Sequence, residues 1–157
     1  MPLNEHSTIH GVLNLELRDE FGALVEVRRV HNLITTNGKA LLARLLGGKL
    51  SGAVLPVIGV GEGLLAASPG DAALGKKLSE ARAEMSEPQL QGDGVRVVVS
   101  ANIVDGGDAN RPLPLTEAGI LVRVGNDPVG VLFNRVTFPV INKGQNMTLL
   151  LSWELTF

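Results

Sequence analysis

Hydrophobic and polar residues alternate at every second position through much of this chain. Leu13, Leu15 and Leu17 share one side while Asn14, Glu16 and Arg18 share the other, which is the period of a half-buried β-strand. Asp19-Glu20-Phe21-Gly22 reads as a turn into a second strand, where Val25 and Val27 oppose Glu26 and Arg28. Ala81, Ala83 and Met85 oppose Glu80, Arg82, Glu84 and Ser86, and Val95, Val97, Val99, Ala101 and Ile103 oppose Arg96, Ser100 and Asn102. The alternation is clearest at the end, where Met147, Leu149, Leu151, Trp153, Leu155 and Phe157 interleave with mostly polar residues. One apolar and one polar face per strand predicts antiparallel, half-buried sheets rather than a doubly wound parallel one.

A single helix is predicted after Thr35, Thr36 or Asn37, any of which can cap it. Leu41, Leu42, Leu45 and Leu46 form its apolar stripe, Lys39 and Arg44 face outward, and Gly47-Gly48 ends it. Residues 62–78 are a long connection of small residues, residues 105–110 a wide loop, and Gly125-Asn126-Asp127-Pro128 a hairpin between two apolar strands. About seven short strands with one helix predict a mainly β fold, an antiparallel, jelly-roll-like β-sandwich. Residues 1–10, polar and unpatterned, are expected to form an N-terminal arm, and residues 11–157 a single domain.

Composition narrows the function. With 157 residues, 45% hydrophobic and 19% charged, the chain can bury a core and is not disordered by composition. A net charge of −2 provides no field to hold nucleic acid or an anionic membrane. No cysteine is present, so disulfides, thiolate metal sites and a cysteine nucleophile are excluded. Met1-Pro-Leu-Asn-Glu-His lacks the basic head and apolar run of a signal peptide. The aromatics are one Trp and four Phe with no Tyr, a poor supply for a sugar-stacking platform.

Several residue groups could carry chemistry. Gly70-Asp-Ala-Ala-Leu-Gly75-Lys76 matches most of a phosphate-binding loop, but Lys77 stands where a magnesium-binding Ser or Thr belongs; an exposed turn with two solvated lysines is expected instead. Gly59-Val60-Gly61-Glu62-Gly63 lacks dinucleotide-binding spacing and suggests close backbone packing at a strand end. His6, His10 and His31 share no metal-ligand spacing. Asp105, Asp108 and Asn110 offer oxygen ligands to calcium, although such residues also serve turns directly. Glu80 or Glu117, paired with Arg82 or Arg135, would fix strand register rather than act as catalytic carboxylates. No catalytic residue, cofactor, metal or small-molecule substrate is therefore expected.

Several segments, in order, resemble a family of small structural proteins of tailed bacteriophages and contractile injection systems, the tail-fibre, tail-collar or baseplate-associated proteins. They are His31-Asn32-Leu33-Ile34-Thr35-Thr36-Asn37-Gly38, Val57-Ile58-Gly59-Val60-Gly61-Glu62-Gly63, Ala66 to Leu74, and Leu78-Ser79-Glu80-Ala81-Arg82. Thr116-Glu117-Ala118-Gly119-Ile120, Phe133 to Pro139, Ile141-Asn142-Lys143 and Leu151-Ser152-Trp153-Glu154-Leu155-Thr156-Phe157 follow, so the resemblance covers about residues 30–157. Fibre proteins usually continue into a long tip, whereas this chain stops at Phe157, which favours an adaptor, collar or baseplate-peripheral part.

The resemblance implies a non-enzymatic virion protein of the tail or baseplate region, made in the bacterial host cytoplasm. Its expected partners are itself, as a trimer or ring, and neighbouring particle proteins met through loops 62–78 and 105–112. The C-terminal strand is expected to pair with another chain if it lies at a sheet edge. A capsid decoration protein and a small host-surface or sugar-binding module are the alternatives.

Overall fold

The computed structural model describes residues 8–104 and 106–157. The chain runs through β1 (His10–Arg18), β2 (Leu24–His31), β3 (Leu33–Ile34), α1 (Thr36–Leu46), β4 (Val54–Gly61), β5 (Lys77–Arg82) and β6 (Glu84–Met85). It continues with β7 (Gln89–Gln91), β8 (Gly94–Ile103), β9 (Leu113–Val124), β10 (Val131–Leu132), β11 (Asn134–Lys143) and β12 (Thr148–Thr156). These strands form two six-stranded sheets. One has the order β2-β1-β12-β8-β6 with β7 beside β8; the other is β3-β11-β9-β4-β5 with β10 beside β9. Every pairing is antiparallel, and the protein is a β-sandwich.

The core lies between the sheets and follows the alternation. Leu13, Leu15 and Leu17 of β1, Val97, Val99, Ala101 and Ile103 of β8, and Leu149, Leu151, Trp153 and Leu155 of β12 are all buried on one inner face. Ile58, Val60, Leu115, Ala118, Ile120, Val136 and Ile141 supply the other. Because β12 lies between β1 and β8, its backbone is paired on both sides. The place at a sheet edge that pairing of the C-terminal strand with another chain would need is not met, for β12 is an interior strand.

Four other expectations are corrected. Val25 and Val27 do not face the core. The register Leu13↔Val30, Leu15↔Arg28 and Leu17↔Glu26 puts Glu26, Arg28 and Val30 on the inner side and leaves Val25 and Val27 47% and 51% exposed. At a sheet edge the core is thin, so long charged side chains reach water around the rim. The alternation from Ala81 to Met85 is not one strand: the chain crosses at buried Ala83 from β5 in one sheet to β6 in the other, and Met85 ends up exposed. That crossing and the short strands raise the count to twelve among the described residues. In α1 only Leu41 and Leu42 pack inward, while Leu46 is 93% exposed where the helix runs past the sheet. Two residues assigned to the N-terminal arm belong to the sandwich instead, for Ile9 packs against the core and β1 begins at His10; residues 1–7 lie outside the described residues.

Thr35 explains where α1 starts. Its hydroxyl accepts the Gly38 N–H at 2.9 Å and donates to the Leu132 carbonyl at 2.5 Å, so it caps the helix and ties it to the sandwich. Gly38 meets the Phe133 backbone so closely that a Cβ would collide with it. Thr35→Ala is expected to cost about 1–2 kcal/mol, the loss of a good N-cap, read as a lower midpoint in urea unfolding with unchanged slope.

Candidate functional site

The most organised polar cluster is at one end of the sandwich, where β4 stops at Gly61 and pairs with Glu117 of β9. Glu117 is a carboxylate with 0% exposure, an arrangement that is costly unless its oxygens are fully hydrogen-bonded. Four donors meet that need. Oε1 accepts the N–H groups of Gly63 and Lys76, each at 2.8 Å. Oε2 accepts the Gly75 N–H and the Arg135 Nε, each at 2.9 Å.

Arg135, on β11 and 3% exposed, passes the restraint onward. It donates to the Leu65 carbonyl at 2.9 Å, to the Ala66 carbonyl at 3.3 Å and to the Asp71 carboxylate at 3.0 Å. Thr116 Oγ1 donates to the Gly63 carbonyl at 2.8 Å, and Asp71 also accepts the Ser68 N–H at 2.8 Å. The long connection between β4 and β5 is thereby sewn to the sheet at both ends and in its middle. Glycine is required on this path. A Cβ at Gly63 would lie 2.5 Å from Glu117 Oε1, and one at Gly61 would collide with the Lys76 carbonyl.

Burial on its own would push the Glu117 carboxyl up. The N–H groups of Lys76 and Gly75, the Arg135 guanidinium and the Gly63 N–H outweigh it and hold the carboxyl below its ordinary value. A carboxylate saturated with donors and closed to water has no lone pair left for a substrate proton. The arrangement fastens the loop, and the Glu117–Arg135 pair, one of those the sequence offered, joins β9 to β11.

The Glu80 expectation needs correcting. Its partners are Lys77, at 2.7 Å, and Arg123, two strands away across β4; Arg82 is not among them. Burial pushes the Glu80 carboxyl up, but the bonds from Lys77 and Arg123 prevail and lower it.

The phosphate-loop likeness has a physical basis. The N–H groups of Gly75 and Lys76 do cradle an anion, but that anion is the chain's own Glu117 carboxylate. Lys76 and Lys77 are not simply solvated, since they pair with Glu62 and Glu80. The Gly59–Gly63 segment makes the close packing expected of it, with Gly59 against Leu74 and Leu121. His10 and His31 are exposed on β1 and β2, and His10 Nε2 meets Thr8 Oγ1 at 2.8 Å; His6 lies outside the described residues. Asp108 uses its carboxylate to accept the Asn110 N–H at 2.9 Å, as turn residues do, and Asp105 lies outside the described residues. Among the described residues no three His, Asp or Glu side chains gather as a metal site.

Both loops expected to meet partners lie at the end of the sandwich that holds Glu117. The registers Gly61↔Glu117, Leu113↔Lys143 and Leu149↔Ile103 put residues 106–112 and the 144–147 turn at the same end of the sheets as the 62–76 loop. Buried Lys143 anchors the chain just ahead of the first of these, donating to the Val104 carbonyl at 3.1 Å. On the fastened loop Leu64 and Leu65 point outward, each 83% exposed. Sequence reasoning passed over them, although two adjacent leucines within a glycine- and alanine-rich loop are out of place unless they meet something. It also missed Asp71 as the second carboxylate of Arg135.

At the opposite end, a cavity of about 120 Å³ lies between α1 and the sheets. It is lined by Leu41, Leu42, Val122, Phe133, Leu155 and Phe157, among other apolar residues. No polar groups converge there as they do in sites built for chemistry.

The fold and its fastened loop define a rigid two-sheet β-sandwich that holds one projecting loop. No family model, curated protein or solved structure matches the chain.

Proposed function

We propose that this chain is a non-enzymatic structural part of a bacteriophage tail or related contractile injection device, assembling with itself and with neighbouring particle proteins. One observation carries the reading. The segments that resemble the tail-protein family, far apart in sequence, meet in a single hydrogen-bonded knot around buried Glu117 and Arg135, which also takes in Gly63, Ala66 and Asp71. What these segments do is hold a loop stiff and turn Leu64 and Leu65 outward. A loop that is already ordered loses little entropy when it docks, which suits a part that must find its neighbours and stay. Rigid scaffolds that position loops are a general basis for recognition.

The test is to raise antibodies to the chain and label purified particles. Label on tails or baseplates supports the proposal, label on heads shifts it to capsid decoration, and absence from particles overturns it. A paired substitution, Leu64→Asp with Leu65→Asp, should leave the melting temperature within about 2 °C, as surface changes do. Incorporation into particles should fall by at least about tenfold, the result of losing about 1.4 kcal/mol of docking energy. Unchanged incorporation would place the docking surface elsewhere.

A further inference from the structure

We infer that β2 is a self-pairing edge: two copies of this chain join antiparallel along β2, with Val27 opposite Val27 of the partner. The inference rests on the reading of the chain as a self-assembling part and gives that assembly an interface.

Among the described residues, β2 is the last strand of its sheet. The Asn32 N–H donates to the Gly11 carbonyl at 3.0 Å, so even-numbered residues of β2 turn their backbone groups toward β1. In an antiparallel ladder the alternate residues point the other way. Val27, Arg29 and His31 therefore aim their N–H and C=O groups at the open edge, up to the bulge at Val25 where the register with β1 shifts. Such a row is a template for another strand.

Charge selects the occupant and the register. With Val27 opposite its own copy, Glu26 stands opposite the partner's Arg28, and Arg28 opposite the partner's Glu26. Both are close, non-hydrogen-bonded positions, where side chains approach most nearly. Moving the two-fold axis by one residue in either direction sets Glu26 against Glu26 or Arg28 against Arg28. Directly opposed like charges are unfavourable and opposite charges favourable, so of these three registers only the Val27-centred one pairs Glu26 with Arg28.

The isolated chain shows the same groups incompletely satisfied. Arg28 Nη1 folds back onto the Val27 carbonyl at 3.0 Å, capping its own edge. The Arg28–Glu26 contact within the strand is 3.3 Å, and Glu26 Oε2 is buried without a hydrogen bond. On pairing, the Val27 carbonyl accepts the partner's Val27 N–H, which releases Arg28 to reach the partner's Glu26. The half-exposed Val27 side chains meet across the seam on the outer face. The contact is isologous and closes as a pair, so larger rings would use a second surface such as the Leu64–Leu65 loop.

Sedimentation velocity of the full chain over a range of concentrations tests this. The wild-type chain should be a dimer or a multiple of one. Val27→Pro should abolish pairing, because it removes an outward N–H that β1 does not use. Glu26→Arg or Arg28→Glu alone should weaken dimerisation about tenfold, with two charge pairs reversed per seam. The double reversal E26R/R28E should restore it, which a simple folding defect would not do. A wild-type monomer at every concentration overturns the inference, while particle labelling still decides the function. A wild-type oligomer indifferent to all four variants also overturns it and leaves self-assembly to another surface.

Discussion

Glu117→Ala should lower the melting temperature by about 6–20 °C and release the loop between β4 and β5. Removing one partner of a buried ion pair costs about 3–5 kcal/mol, because the other is left buried and uncompensated. In a domain of this size each kcal/mol moves the midpoint by about 2–4 °C. The alanine also strands the N–H groups of Gly63, Gly75 and Lys76, which should then exchange hydrogen far faster than the sheet amides. Glu117→Gln should fall short of full rescue, since its NH₂ would face some of the donors that the carboxylate accepts. An unchanged melting curve for Glu117→Ala would mean the loop is held by other contacts.

The same carboxylate sets an acid limit. Its folded-state pKa lies below the ordinary 4.5. Its contribution is therefore complete at pH values above the unfolded pKa and is lost as pH falls through the depressed folded value. Stability measured against pH should decline below about 4.5, and Glu117→Gln should flatten that decline. Glu80 is lowered too, but its side chain is 28% exposed, so its share should shrink in high salt while that of Glu117 persists.

How much of this was legible depends on what neighbours a residue has. In β12 and β8 each residue's fate is decided by one buried and one solvated face, and period-2 alternation records that directly. In β2 the same alternation exists, yet the faces are reversed, because register with β1 governs an edge strand whose inner side is shallow. Ala81 to Met85 keeps a single alternation in sequence although the chain changes sheets at buried Ala83 and leaves Met85 exposed, so the alternation does not mark the break. The ion-pair partners of Glu80 and Glu117 depended on sheet order. Arg123 reaches Glu80 only because β4 separates β5 from β9. The cradle at Gly75 and Lys76 was visible as anion-binding chemistry, but its anion stands 41 residues away from Lys76 and belongs to the same chain.

Trp153→Ala should be about as damaging as Glu117→Ala, at about 3–5 kcal/mol, the usual loss for a large aromatic removed from a packed core. Trp153 has 0% exposure and lies between Leu13 of β1 and Val99 of β8 in the centre of its sheet. Its Nε1–H donates to Asn32 Oδ1 at 2.6 Å. The Asn32 side chain in turn crosses Gly11 so tightly that a Cβ there would overlap it. Truncation thus opens a cavity and also strips the donor from an amide whose Nδ2 is already buried without a partner. Trp153→Phe should separate the two effects, retaining most of the packing while losing the hydrogen bond, about 1–2 kcal/mol of the total. The experiment also weighs the sugar-binding alternative, for a tryptophan that stacks on a sugar must show one face to solvent. A Trp153→Ala chain that melts like wild type but loses binding to a glycan array would sink the scaffold reading. A chain that melts about 6–20 °C lower, with no glycan binding by the wild type to lose, assigns this residue to the core and leaves recognition to the loops and edges around it.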